Sequence, residues 1–125
     1  MRLLLDTHAL LWWLSDDTKL GAEARSAIAD GSNEILVSTV SLAEIAIKRS
    51  LGKLHAPASI LEVSIDEGFA ELPLLSTHAA ALARLPWHHR DPFDRLLLAQ
   101  AEVEDLVVVT ADRRFADYSA RLLRA

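Results

Sequence analysis

Along this chain of 125 residues, short unbroken apolar runs alternate with longer stretches in which apolar positions recur at helical spacing. Arg2 to Leu5 predicts a first strand, followed by helices over His8 to Ser15 and Gly21 to Asp30, the second stopped by Gly31. Ile35 to Ser38 predicts a second strand. Ser41 and Glu44 have capping-box spacing for a helix through Arg49 that Gly52 ends. Pro57 leads a helix over Ser59 to Glu67. Glu71 to Leu74 reads as a short strand, and Pro73 suits it to a sheet edge. Ser76 to Leu85 reads as a helix capped by Ser76. Asp91 and Pro92 read as N-cap and first residue of a helix running to about Asp105. Leu106 to Thr110 is a β-branched run with the look of a strand buried on both faces. A last short helix follows Asp112. The order β-α-α-β-α-α-β-α-α-β-α predicts a single α/β domain over residues 1–125, with a mainly parallel central sheet and helices on both faces.

Composition narrows the class. Half of the residues are apolar and a quarter are charged, as in a globular protein with a real core. With no cysteine, disulfides and thiolate metal sites are excluded. The longest apolar run, Ala9 to Leu14, is too short to cross a bilayer, and no signal sequence opens the chain, so a cytoplasmic location is expected. The net charge of −5 argues only weakly against nucleic-acid partners, because a carboxylate cluster that holds cations makes a nuclease acidic on average.

Four acids stand where apolar segments run out: Asp6 after Leu3-Leu4-Leu5, Glu44 after Ile35-Leu36-Val37, Asp94 in Asp91-Pro92-Phe93-Asp94-Arg95, and Asp112 after Val107-Val108-Val109-Thr110. In an open α/β sheet the strand carboxyl ends share one edge, where distant acids converge on a ligand. Carboxylate oxygens suit Mg²⁺ or Mn²⁺, which assist phosphate-ester chemistry. Each acid also has a structural reading. Asp6 and Asp112 could cap the segments after them, and Glu44 could close the capping box or pair with Lys48 one turn on. Asp91 is explained as an N-cap, whereas Asp94 aligns with Leu97, Leu98 and Ala101 on a largely buried face, where a carboxylate needs a compensating cation.

Four segments, in order, give the chain a family resemblance. They are Leu4-Leu5-Asp6-Thr7-His8, Ser41-Leu42-Ala43-Glu44-Ile45, His89-Arg90-Asp91-Pro92-Phe93-Asp94-Arg95 with Ala99-Gln100-Ala101 after it, and Val109-Thr110-Ala111-Asp112. With them the chain resembles the PIN-domain ribonucleases, and within those the VapC-type toxins of bacterial toxin-antitoxin modules. The resemblance implies a small α/β endoribonuclease that uses Mg²⁺ or Mn²⁺, commonly dimerises and is held inactive by a cognate antitoxin. It implies catalytic and metal-binding roles for Asp6, Glu44, Asp94 and Asp112. On that assignment Asp6 and Asp94 hold the main ion, Glu44 orients a second ion or the attacking water, Asp112 completes the shell, and Asp91 is a possible neighbour.

Other residues carry weaker signals. Thr7 and Thr110 could position carboxylates or be ordinary turn hydroxyls. His88 and His89 read as RNA contacts, proton carriers or a polar loop, with the loop reading at least as strong. His8 starts the first helix and is expected to point away from the site. Of Trp12 and Trp13, one is expected in the core and the other at an interface, where a dimer seam would cover the surplus apolar surface. Arg95, Arg113 and Arg114 read as phosphate ligands or surface charges. Two further classes remain open on the residues alone: a Mg²⁺-dependent phosphotransfer or receiver-like domain, and a noncatalytic interaction module. The first is weakened by His8 standing where an aspartyl phosphatase wants a second Asp, and by Thr110-Ala111-Asp112 where a receiver wants Lys.

Overall fold

Leu3, Leu4 and Leu5 are all fully buried, yet they serve two separate cores. Side chains alternate across a strand. Leu3 and Leu5 therefore pack on one sheet face with Ile35, Val37, Val107 and Val109, while Leu4, Leu36 and Val108 pack on the other. The computed structural model describes all residues, 1–125. Its strands are β1 (Arg2–Leu5), β2 (Glu34–Ser38), β3 (Ala70–Leu72), β4 (Val107–Thr110) and β5 (Arg121–Arg124). Its helices are α1 (Thr7–Leu14), α2 (Ala22–Ala29), α3 (Thr39–Ser50), α4 (Ile60–Asp66), α5 (Ser76–Ala81) and α6 (Pro92–Glu104), with 3₁₀ turns at Leu82–Arg84 and Arg113–Asp117. Residues from α1, α2 and α4 (Leu10, Ala24 and Ile60) close the first core. Residues from α5, α6 and the second 3₁₀ turn (Ala81, Leu98 and Phe115) close the second.

The strands lie in the order β3-β2-β1-β4-β5, every neighbouring pair parallel. Leu5 registers with Val37 on one side and Val109 on the other, so three strands end at the same edge. The chain leaves β1 toward β2 and leaves β4 toward β5. The crevice between β1 and β4 is thus the point where strand order reverses, the usual ligand position in such sheets.

This architecture bears out the expected single α/β domain, and it is parallel throughout. Several local expectations are corrected. A fifth strand, β5, follows the last 3₁₀ turn where only a short helix was expected. It has no β-branched residue, and its pattern of exposed arginines around half-buried leucines gives little strand signal. The central strand is β1, while the fully buried β4 lies between β1 and the edge strand β5. Ser41 and Glu44 form no capping box. The helix begins at Thr39, Ser38 is the cap that accepts the Val40 N–H, and Ser41 and Glu44 face inward as buried residues. Gly52 does follow the helix end at φ +70°, the left-handed position glycine occupies without strain. Ser76 is the first residue of α5 and not its cap; the Leu75 amide donates instead to His78 Nδ1.

Candidate functional site

Asp6 is the first residue beyond β1, and its backbone N–H still donates to the Val109 carbonyl on β4 at 3.0 Å. That bond sets the carboxylate at the β1–β4 crevice. Its Oδ1 accepts the Ala9 N–H at 2.8 Å, so the capping role and the cleft position belong to one side chain. Burial pushes its carboxyl above the usual range against the opposing hydrogen bonds from the Thr110 hydroxyl and the Ala9 amide.

Glu44 enters from α3 and is buried. The Thr7 hydroxyl lies 2.7 Å from Oε1, and the Lys48 ammonium donates to Oε2 at 2.6 Å. Thr7 also meets the Ser41 hydroxyl at 3.0 Å. The i,i+4 pairing with Lys48 is therefore real, and it coexists with a place in the cleft. Hydrogen bonding to Glu44 holds the Lys48 ammonium above its usual pKa.

Asp91 takes the expected N-cap position, and Asp94 lies in the first turn of α6. Asp91 Oδ1 accepts the Asp94 N–H at 3.0 Å, Pro92 follows in the first helical turn, and Asp91 is the N-cap of α6. Asp94 is pushed up to about 7, first by burial and then by the Asp91 charge, with Asp6 and Glu44 adding to it and His89 opposing it. Replacing Asp91 by Ala should cost about 0.5–2 kcal/mol by leaving a helix-end N–H unpaired, and Asp91→Ser should recover most of it in thermal melts.

Asp112 caps the second 3₁₀ turn. Burial raises its carboxyl, but hydrogen bonds and charge from Arg114, with a hydrogen bond from His89, outweigh burial and hold it below the ordinary carboxylate range. Arg114 donates to both oxygens, at 3.2 Å from Nε and 3.1 Å from Nη2.

These acids line one cleft of about 350 Å³, together with Thr7, His8, Trp12, Lys48, Ala111 and Arg114. All four candidate acids and Asp91 are thus brought together. His8 faces this cleft and stacks near Trp12 with ring centroids 5.8 Å apart, contrary to the expectation that it points away. Trp12 and Trp13 are both half-buried against the core of their own chain, and Trp13 packs on Phe69. Arg95 is not available to phosphate. It is buried, donates to the Pro86 carbonyl at 2.8 Å, and lies 3.8 Å from the Trp87 ring centroid. Arg113 is exposed, and His88 is a surface residue against Tyr118. His89, by contrast, is 2% exposed, with Nε2 2.8 Å from Asp94 Oδ2 and 3.2 Å from Asp112 Oδ2. His89 does lie on the loop before α6, but it is buried against the site acids where His88 is exposed, and nothing in sequence distinguishes the two.

Comparison with known proteins places this geometry in context. A family model described as PIN domain matches residues 3–121. The chain is 28% identical over 118 residues to "Ribonuclease VapC22" of Mycobacterium tuberculosis, covering 92% of this chain and 90% of that protein. Its fold resembles that in VapBC2 from Rickettsia felis bound to a promoter DNA fragment, with TM-score 0.76 at 15% identity over 100% of this chain and 99% of that one. It also resembles that in DNA-bound VapBC from Salmonella typhimurium, with TM-score 0.70 at 18% identity over 99% and 98% of the two chains. A match that takes in all four acid-bearing segments and runs from β1 to the start of β5 leaves one assignment: the chain belongs to the PIN domain family.

Proposed function

We propose that this protein is a metal-dependent endoribonuclease, the toxin of a toxin-antitoxin pair, with Asp6, Glu44, Asp94 and Asp112 as its catalytic and ion-binding carboxylates. The observation that carries this reading is the convergence of these acids in one cleft at the point of strand reversal. Support comes from the relative named as a ribonuclease and from neighbours solved as VapBC complexes.

The donor set fits a hard divalent cation, Mg²⁺ first and Mn²⁺ in its place. It is rich in carboxylate oxygens, and burial together with crowding by like charges pushes Asp94 up to about 7, a cost that a cation removes. Glu44 pairs with Lys48 and Asp112 with Arg114, whereas neither Asp6 nor Asp94 pairs with a Lys or Arg, which favours these two as the main ligands. A bound ion would make a water more acidic and offset charge growing on the phosphate. Around it the chain's own groups divide the work. Thr7 fixes one oxygen of Glu44, and Thr110 steadies Asp6. Lys48 and Arg114 stand at the cleft as cations for the substrate's flanking phosphates, and Trp12 offers a ring face for a base.

The partners on this reading are RNA, a cognate antitoxin and a second copy of the chain. Exposed apolar side chains, Trp87 at 76%, Leu51 at 61% and Ile65 at 55%, supply surface for protein contacts. No helix is long and apolar enough to cross a membrane, and a cytoplasmic location goes with the proposed role. The test is cleavage of a mixed RNA pool with Mg²⁺, Mn²⁺ or EDTA. Cuts at defined positions with either ion, and none with EDTA, are expected. Intact RNA with both ions would sink the reading. Mass measurement at micromolar concentration should return a dimer.

A further inference from the structure

We propose that His89 is a positioning residue of the carboxylate site: its Nε2–H is shared between Asp94 and Asp112 and holds the two side chains together, and His89 is not itself a metal ligand. The inference rests on the reading of those aspartates as ion-binding groups.

Three side chains, His89, Asp94 and Asp112, offer ligand atoms that all lie within 4.8 Å of one another, a spacing that would also suit a mixed nitrogen and oxygen metal site. The hydrogen bonds decide against that use. The Asp91 backbone N–H donates to His89 Nδ1 at 3.2 Å, so Nδ1 presents its lone pair and the ring proton sits on Nε2. A nitrogen that carries a proton cannot ligate. It can donate, and its two acceptors are Asp94 Oδ2 at 2.8 Å and Asp112 Oδ2 at 3.2 Å.

The ring has little freedom to do otherwise. The His89 backbone N–H donates to the Tyr118 hydroxyl at 2.9 Å, and that hydroxyl donates onward to the Pro86 carbonyl at 2.8 Å. The Arg95 guanidinium reaches the His89 carbonyl at 3.4 Å and the Tyr118 hydroxyl at 3.3 Å. Phe115 meets the imidazole edge-on, with centroids 5.9 Å apart. Buried Arg95 thus serves the site through the loop that carries His89. This donor bridges two acids from different elements, one on α6 and one beyond β4. Without it, their mutual repulsion in a half-buried setting would turn them apart and spoil a shared ion site.

Two substitutions separate the bridge from the anchor. In His89→Asn the amide oxygen takes the place of Nδ1 and still accepts the Asp91 N–H, but nothing reaches the carboxylates. In His89→Gln the amide nitrogen takes the place of Nε2 and still donates to them. Calorimetric titration with Mn²⁺ should show affinity reduced about 10–100-fold in His89→Asn, with most of it recovered in His89→Gln. Nitrogen-15 NMR of the wild-type imidazole should show the proton on Nε2 both without metal and with Mg²⁺. Equal Mn²⁺ affinity in wild type and His89→Asn, or a proton that leaves Nε2 when Mg²⁺ is added, would overturn the proposal. The wild-type titration keeps the two readings apart. No Mn²⁺ uptake there would overturn the ion site and this role with it, whereas uptake undiminished in His89→Asn would overturn the role of His89 alone.

Discussion

Asp6→Asn is expected to abolish Mg²⁺-dependent RNA cleavage while the protein melts at the same temperature or higher. The substitution keeps the oxygen that accepts the Ala9 N–H, so the cap of α1 survives. What it removes is a negative charge at 4% exposure, whose ionised form is disfavoured by burial. A buried charge without an ion partner costs stability, and its removal should not weaken the fold. Cleavage, in contrast, loses the acid set at the crevice by the backbone bond from Asp6 to Val109. Asp6→Ala would confuse the experiment, because it also deletes the cap, at about 0.5–2 kcal/mol. RNA cleavage followed by gel, beside a thermal melt in EDTA, reads both quantities. Full cleavage by Asp6→Asn at ordinary Mg²⁺ would remove Asp6 from the site.

The second large effect belongs to Asp94, and it carries a pH signature. Its folded-state pKa of about 7 lies above the ordinary value of 3.8, so the folded protein binds this proton more tightly than the unfolded chain does. The associated stability is fully present below pH 4, is lost as pH rises through 7, and amounts to at most a few kcal/mol, at about 1.4 kcal/mol per pKa unit. Asp94→Asn has no such proton to lose. In EDTA its melting temperature should exceed that of the wild type at pH 8, and the advantage should vanish near pH 4. Saturating Mg²⁺ should then raise the wild type and leave Asp94→Asn unmoved, because the cation relieves the crowding from Asp91, Asp6 and Glu44. Cleavage by the variant should be lost. A variant that melts below the wild type at pH 8 in EDTA would mean that Asp94 stabilises the fold by its charge, and the metal assignment would have to move.

How far the sequence reaches can be judged from particular residues. Leu3-Leu4-Leu5 and Val107-Val108-Val109 announce buried parallel strands because both faces of such strands need apolar side chains. The acids that follow them are legible for the same reason, as strand ends are where an apolar run stops. Asp91-Pro92 is legible as a helix start because the cap and the fixed φ of proline are local chemistry. What escapes is whatever depends on a distant partner. β5 owes its existence to pairing with β4, Arg121 with Val107 and Leu123 with Val109, and not to its own propensity. Ser41 and Glu44 mimic a capping box, but Ser38 outcompetes Ser41 because it stands where β2 ends. Arg95 looks like a phosphate ligand beside a site acid, yet the Pro86 carbonyl, 2.8 Å from its guanidinium, lies nine residues back. His89 reads like His88 until Asp94 and Asp112 close around it.

The strand order also has a kinetic consequence. Asp6 and Asp112 become neighbours only when β1 pairs with β4, Leu3 beside Val107, a closure across most of the chain. Such non-local pairings form slowly, because chain entropy is spent before the contact repays it. The β1-β2-β3 half can in principle assemble from nearer contacts, and it would hold Asp6 and Glu44 while lacking Asp94 and Asp112. Partly folded chains therefore carry half of a carboxylate set and no complete one. On the proposed site assignment, the full carboxylate set, and cleavage with it, comes only when this longest-range strand pair has closed.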